Sequence, residues 1–281
     1  MTRLLMMEGN PRAKRERGDA LGVRSSSAIY SAAISAHFPD VEIRVINAAD
    51  EDEAMPNRSH YADYDGFVIS GSSLHAYDSG FAVENQIEIL KQAADAGLPI
   101  LGSCWGLQIA AVAAGGEVRY NPKGREVGFA RKIVANEAGR SHPMLAGRAA
   151  AFDAPCIHYD EVMRLPETAT LLASNAHSVV QAAIIPLGRS EVWAVQYHPE
   201  FDLTQLVQLY TLYADDLIGQ GFFADQAALD QYCAQLAALA ADPDDAGMAW
   251  QLGVDSDITR DTSRRSEIIA WMERCVTQKR R

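Results

Sequence analysis

The sequence predicts an α/β fold: a doubly wound, mostly parallel sheet flanked by helices, with a helical extension at the C-terminal end. Three observations lead there. Short apolar runs alternate with helix-length segments as far as Ala111, the pattern of strands joined by crossover helices. One of those runs ends in Gly102-Ser103-Cys104-Trp105-Gly106 and passes directly into an Ala-rich helical pattern. Beyond Phe201 the strand-like runs stop and only helical periodicity remains. A chain of 281 residues is long enough for one large domain with a helical appendage, and these patterns divide it into residues 1–202 and 203–281.

Residues 3–8 form a short apolar strand that Gly9-Asn10-Pro11 closes as a turn. The polar stretch up to Val23 reads as a loop. Residues 25–38 carry Ala28, Ile29, Ala32, Ala33 and Ala36 at helical spacing, and Pro39 ends them. Strands follow at 41–46 and 64–70, the second feeding Gly71-Ser72-Ser73. Residues 81–96 repeat apolar positions at three and four (Val83, Ile87, Leu90, Ala94) and stop at Gly97. The strand from Leu98 then delivers Cys104. After Gly116, runs at 118–120, 128–134, 171–174, 179–185 and 191–196 extend the sheet or form a small side ribbon. In the tail, residues 203–218 and 226–241 are helical, Asp242-Pro243-Asp244-Asp245 breaks them, and 266–276 is a final amphipathic helix before Lys279-Arg280-Arg281. That basic end reads as a solvated helix terminus.

Glycine two positions on either side of Cys104 is the pattern of a nucleophile elbow, where the turn is too tight for flanking side chains. The thiol then sits at a helix N-terminus, where unpaired N–H groups and the helix dipole favour the thiolate. The Trp105 N–H points to where an attacked carbonyl develops negative charge. Gly71-Ser72-Ser73, at the preceding strand end, offers a second oxyanion donor, although an ordinary βα turn reads equally well. A buried structural cysteine is the plain alternative for Cys104, so a base is needed.

Val192-Trp193-Ala194-Val195-Gln196-Tyr197-His198-Pro199-Glu200 supplies one. Pro199 biases His198 toward extended backbone, in which residues i and i+2 face the same side, so the Glu200 carboxylate reaches the ring and leaves its other nitrogen free. A carboxylate there fixes the tautomer and stabilises the imidazolium. The chain order is nucleophile, histidine, acid. An α/β-hydrolase runs nucleophile, acid, histidine, and that reading loses.

Gly-Ser-Cys-Trp-Gly-Leu-Gln followed by Tyr-His-Pro-Glu-Phe resembles the class I glutamine amidotransferases over roughly residues 3–202. The resemblance implies that Cys104 forms a γ-glutamyl thioester, with His198 as base and Glu200 as its partner. It implies that Gln108 contacts substrate, and that Gly71, Ser72 and Trp105 form the oxyanion site. The family's turn is Gly-Gly-Pro, and this chain departs from it at Ser72 and Ser73. Glu126-x-Gly128 and His158-Tyr159-Asp160 match stretches that lie beside the family's glutamine pocket, with Ile157 in place of the usual serine.

The activity implied is hydrolysis of the side-chain amide of glutamine or of a related γ-glutamyl amide, releasing ammonia or an amine. A γ-glutamyl peptidase acting alone and a catalytically silent subunit of a synthetase remain as alternatives. A net charge of −12, spread along the chain, speaks against nucleic acid. No apolar run is long enough to span a membrane. The four cysteines have no CxxC pairing and no signal peptide precedes them, so reduced thiols and a cytoplasmic location are expected. No metal site is expected, Cys156-x-His158 being isolated. The absence of a Walker A or dinucleotide fingerprint argues against ATP or NAD, and no cofactor is expected. The expected partner is a small-molecule substrate, and a separate synthetase subunit and self-association stay open. His37, His60, His75, His142 and His177 have no partner recognisable from spacing and read as structural or surface residues.

Overall fold

The structure is a computed structural model that describes residues 1–277, the side chain of Arg58 excepted; Lys279-Arg280-Arg281 lies outside the described residues. Strands and helices alternate at first: β1 (Thr2–Met7), α1 (Arg12–Ala20), α2 (Ser26–Ser35), β2 (Val41–Ile46), β3 (Gly66–Ile69), α3 (Phe81–Asp95), β4 (Ile100–Ser103) and α4 (Trp105–Ala113). A strand-rich stretch follows: β5 (Glu117–Tyr120), β6 (Glu126–Ala135), α5 (Glu137–Ser141), β7 (Ala151–His158), β8 (Asp160–Arg164), β9 (Thr170–Ser174), β10 (Ala182–Leu187) and β11 (Ser190–Val195). The chain finishes in helices: α6 (Leu203–Leu212), α7 (Ala214–Gly219), α8 (Gln226–Ala241), α9 (Ala246–Leu252), α10 (Ser256–Thr259), α11 (Asp261–Arg264) and α12 (Ser266–Trp271). A π-helical segment, Met272–Thr277, continues α12.

The strands build a nine-stranded sheet in the order β2-β1-β3-β4-β11-β10-β9-β6-β7. From β2 to β11 every pairing is parallel, and from β11 outward every pairing is antiparallel. Both expectations for the later strands are realised, since β5 and β8 also pair apart as a small ribbon. The parallel strands are buried on both faces and therefore read as continuous apolar runs. In β1, Leu5 and Met7 join the core under α3 and α4, while Leu4 and Met6 face α2 and α12.

Strand β8 and helices α5 and α9 to α11 are not expected from the sequence, and three further elements differ from expectation. The polar stretch before Val23 contains α1, whose charged residues offer no apolar stripe; Gly18 is its buried position, and Arg15 and Arg12 are held by Asp50 and Asp52. Pro11 fixes its start, and its Ala, Lys, Arg and Glu content is the helix signal that periodicity could not register. The strand β7 escaped notice because it contains Pro155, which is tolerated at the sheet edge that β7 occupies. The final amphipathic helix is in fact core: Glu267, Ile268, Trp271, Met272 and Val276 are all fully buried, and a Cβ on Gly66 would lie 2.8 Å from the Trp271 ring. Gly66 leaves the room that lets α12 close the second face of the sheet. Helices α6 to α10 instead form an apolar cluster with Ile29, Phe129 and Phe201.

Candidate active site

Strand β4 ends at the centre of the sheet, and the chain turns sharply into α4. Cys104 occupies the turn at φ 52° and ψ −97°, and its N–H donates to Val195 O at 2.7 Å. A Cβ on Gly102 would lie 2.9 Å from the Gly106 Cα, and one on Gly106 would lie 3.1 Å from Ile69 O. Both glycines of the elbow are therefore required by close backbone approach. The Cys104 side chain is nearly buried, with its Sγ 3.8 Å from Ile157 O.

Because β11 lies beside β4, the segment after Val195 emerges next to the elbow. The His198 N–H donates to Pro155 O at 2.8 Å, and Phe201 N–H donates back to His198 O at 3.2 Å. Pro199 and Glu200 thus lie in a tight turn. The expected pairing occurs, but the turn brings the carboxylate round, not an extended strand. Glu200 Oε1 receives His198 Nδ1 at 2.7 Å and the Ser103 hydroxyl at 3.0 Å. Phe201 stacks on the imidazole at 3.9 Å and 3°, and a Cβ on Gly71 would lie 2.8 Å from its Cε1. Burial alone disfavours the imidazolium, but Glu200 and the Cys104 thiol overcome it and raise the His198 pKa to about 10. Among the described residues, the buried Nε2 has no hydrogen-bond partner. It is free to exchange a proton with the thiol.

Side chains hold the turn at Gly71 and Ser72. The Ser72 hydroxyl donates to Gly9 O at 2.8 Å and accepts from Leu74 N at 3.1 Å, while Ser73 N–H donates to Asn10 Oδ1 at 2.9 Å. Trp105 Nε1 donates to Gln86 Oε1 at 2.8 Å, and Gln86 reaches Gly9 O. The serines that depart from a Gly-Gly-Pro turn therefore fasten it, and Ser73 N–H is already engaged.

The other expected residues divide into two groups. Gln108, His158, Tyr159 and Asp160 line one cavity of about 480 Å³ together with Cys104, Gly71, Ser72 and His198. Glu126 and Gly128 do not line it. Glu126 sits behind His158, receiving its Nε2 at 2.9 Å together with Asn175 and Gln181. Burial pushes its carboxyl pKa up, but these donors pull it below the usual range. His158 Nδ1 donates to Asp160 O at 2.9 Å, so the ring is oriented from both sides.

Gly128, at φ 87°, leaves space that the Tyr210 hydroxyl of α6 fills. Gly128→Ala combines a left-handed backbone with that overlap and is expected to destabilise the fold by about 2 kcal/mol or more. Urea unfolding measures this, and adding Tyr210→Phe is expected to recover part of the loss.

Two cavity residues had no sequence signal. His75, 85 residues from Asp160, hydrogen-bonds its carboxylate through Nδ1 at 2.7 Å, and Tyr77 donates to the same carboxylate at 3.2 Å. Burial and Asp160 push the Tyr77 phenol up to about 12, so it remains a donor. Among the described residues, no cluster of three or more His, Cys, Asp or Glu is placed to hold a metal ion, and no helix is long and apolar enough to cross a membrane.

A thiol at an elbow, a carboxylate-oriented imidazole and a turn of backbone donors thus meet in one cavity wall, an arrangement able to attack a carbonyl and protonate a leaving group. The chain is 35% identical over 201 residues to a γ-glutamyl-L-1-hydroxyisopropylamide hydrolase of a Pseudomonas species, covering 70% of this chain and 67% of that protein. It is 32% identical over 177 residues to the glutamine-hydrolyzing GMP synthase of Bordetella avium, covering 60% of this chain but 31% of the synthase. A crystal structure of a glutamine amidotransferase from Thermotoga maritima superposes with a TM-score of 0.67, covering 98% of each chain at 14% identity, which shows the shared fold. Residues 26–211 match the family described as glutamine amidotransferase class-I, and the chain belongs to that family.

Proposed function

We propose that the chain hydrolyses the amide bond between a γ-glutamyl group and an amine, acting by itself. The observation that carries this reading is the buried His198 ring, held by Glu200 at 2.7 Å with Nε2 unpaired, in the same cavity as the elbow cysteine. Its raised pKa makes the ring a strong acceptor for the proton that Cys104 gives up as its sulfur attacks. The Cys104 sulfur attacks the amide carbon, and negative charge collects on the carbonyl oxygen within reach of the Trp105 N–H and the Gly71–Ser72 turn. His198 passes its proton to the leaving nitrogen, the C–N bond breaks, and an amine and a γ-glutamyl thioester result. Water then gives a proton to His198 and attacks the thioester. Collapse releases glutamate, and the sulfur and imidazolium are restored.

The similarity to the Pseudomonas hydrolase supports a γ-glutamyl amide as substrate. The similarity to a GMP synthase supports a second reading, in which the chain delivers ammonia to a separate synthetase. Assay of the purified chain on glutamine and on γ-glutamyl amides separates them. Activity of the chain alone favours the first reading, and activity that appears only with an added partner favours the second. The buried thiols of Cys104 and Cys156 support a reducing compartment such as the cytoplasm.

The same reading fixes a pH dependence. With His198 as the proton donor, kcat/KM is expected to hold toward pH 10 and fall above it. Glu200→Gln removes the largest influence that raises this pKa, so the alkaline limb is expected to move down by at least about one unit in a pH–rate profile. For stability the sign is the same: the imidazolium stabilises the fold fully below the ordinary value of 6.5, and that contribution is lost as pH climbs through about 10.

A further inference from the structure

The cavity is basic inside an acidic protein. Lys14, Arg15, Arg17, Arg24 and Arg125 line it against the carboxylates of Asp160 and Asp216, although the chain carries −12 overall. Two of these cations are already served. Arg15 lies 2.8 Å from Asp50, and Arg24 lies 3.8 Å from Asp202.

Arg125 is different. It is only 8% exposed, and its guanidinium lies 3.8 Å from the centre of the Tyr159 ring and 5.1 Å from that of Tyr213. The two rings come from the end of β7 and from the junction of α6 and α7, so the clamp joins the sheet to the C-terminal helices. Tyr159 is itself braced, by Gln220 donating to its hydroxyl at 2.7 Å and by Tyr120 stacked at 5.9 Å. Nε and Nη1 of Arg125 are buried and, among the described residues, have no hydrogen-bond partner.

Leaving such donors unpaired is unfavourable, and arginine does not relieve the cost by losing its proton. A rigid, planar fork held between two rings matches a carboxylate, which it binds through two parallel hydrogen bonds. It stands next to Glu126, whose carboxylate orients His158, on the cavity wall shared with Cys104. Building on the hydrolytic reading above, we infer that Arg125 is a carboxylate-binding residue of this cavity, anchoring the substrate while its amide meets Cys104. Two carboxylates have that chemistry: the α-carboxylate of the γ-glutamyl group, and one carried by the leaving amine.

Equilibrium binding to Cys104→Ala, which requires no turnover, tests this by calorimetry with three probes. They are γ-glutamylglycine, γ-glutamylglycinamide, and γ-glutamylglycine with its α-carboxylate replaced by a carboxamide. Adding Arg125→Gln is expected to weaken γ-glutamylglycine by about 10- to 100-fold, and Arg125→Lys to weaken it less. If the glycinamide is the probe insensitive to Arg125→Gln, the leaving-group carboxylate is the one held. If the α-carboxamide is insensitive, it is the α-carboxylate. An equal loss on all three probes, no loss, or no binding of any probe overturns the inference. Should Arg125→Gln fail to fold by circular dichroism, the probes are compared on the Arg125 protein. There, replacing one carboxylate is expected to cost at least about 10-fold, and less than about 3-fold for both replacements overturns the inference. Turnover by the wild type keeps the two readings apart. An inert wild type whose binding depends on Arg125 removes hydrolysis alone, and an active one indifferent to Arg125→Gln removes the subsite alone.

Discussion

Cys104→Ala is expected to reduce kcat/KM for any γ-glutamyl amide by more than about 10⁴-fold, because it removes the atom that forms the covalent intermediate. What remains is binding and whatever the backbone donors do for attack by water, and residual catalysis of that kind is small. Steady-state kinetics on wild type and variant check this, and mass spectrometry of acid-quenched wild type is expected to detect the γ-glutamyl adduct on Cys104. Equal rates in both proteins would remove the sulfur from the mechanism. The same position carries a second expectation, one of stability. At φ 52° and ψ −97°, Cys104 occupies a region that costs an ordinary residue about 1–3 kcal/mol and glycine much less. Glycine normally destabilises relative to alanine. Here Cys104→Gly is expected to unfold at a higher urea midpoint than Cys104→Ala, and the reverse order would show that the turn stores no strain.

Arg148→Met is expected to destabilise the protein by about 3–5 kcal/mol, the usual consequence of stranding one charge of a buried pair. Arg148 Nε meets Glu267 Oε1 at 2.8 Å with both side chains fully buried. Tyr197 donates to the same oxygen at 2.7 Å, and Arg148 Nη2 donates to Arg264 O at 2.9 Å. The network fastens α12 to the segment that carries His198. Replacing Arg148 alone leaves the Glu267 carboxylate in the core with only hydroxyl donors from Tyr197 and Ser266. Arg148→Met combined with Glu267→Gln removes both charges, so it is expected to cost less than Arg148→Met alone when urea unfolding is compared. A double variant that loses as much stability as Arg148→Met alone, or more, would overturn this expectation.

Much of the site was readable residue by residue. The elbow announced itself through its glycine spacing: Gly102 is required by its contact with Gly106 four residues on, while Gly106 is required by its contact with Ile69 of the neighbouring strand. His198 and Glu200 were paired correctly from their spacing, though through a turn in place of an extended segment. The second group acts at one remove from the cavity. Glu126-x-Gly128 was placed beside the pocket, yet Glu126 acts on His158 from behind, and Gly128 makes room for a tyrosine of α6. His75 and Arg125 carried no signal. Their partners, Asp160 for one and Tyr213 for the other, lie far away in sequence and belong to different elements.

The sequence by itself determined the class of fold, the elbow cysteine and the histidine with its carboxylate partner. Each depends on backbone sterics or side-chain period over a few neighbouring residues, and these act the same way wherever the segment lies. Only the tertiary structure decided that β11 lies beside β4 and brings His198 to Cys104, that α12 closes the second face of the sheet, and that Tyr159 and Tyr213 clamp Arg125 in the cavity. Such meetings follow from strand order and from how the whole chain buries its apolar surface, a balance to which every element contributes and which no local window contains.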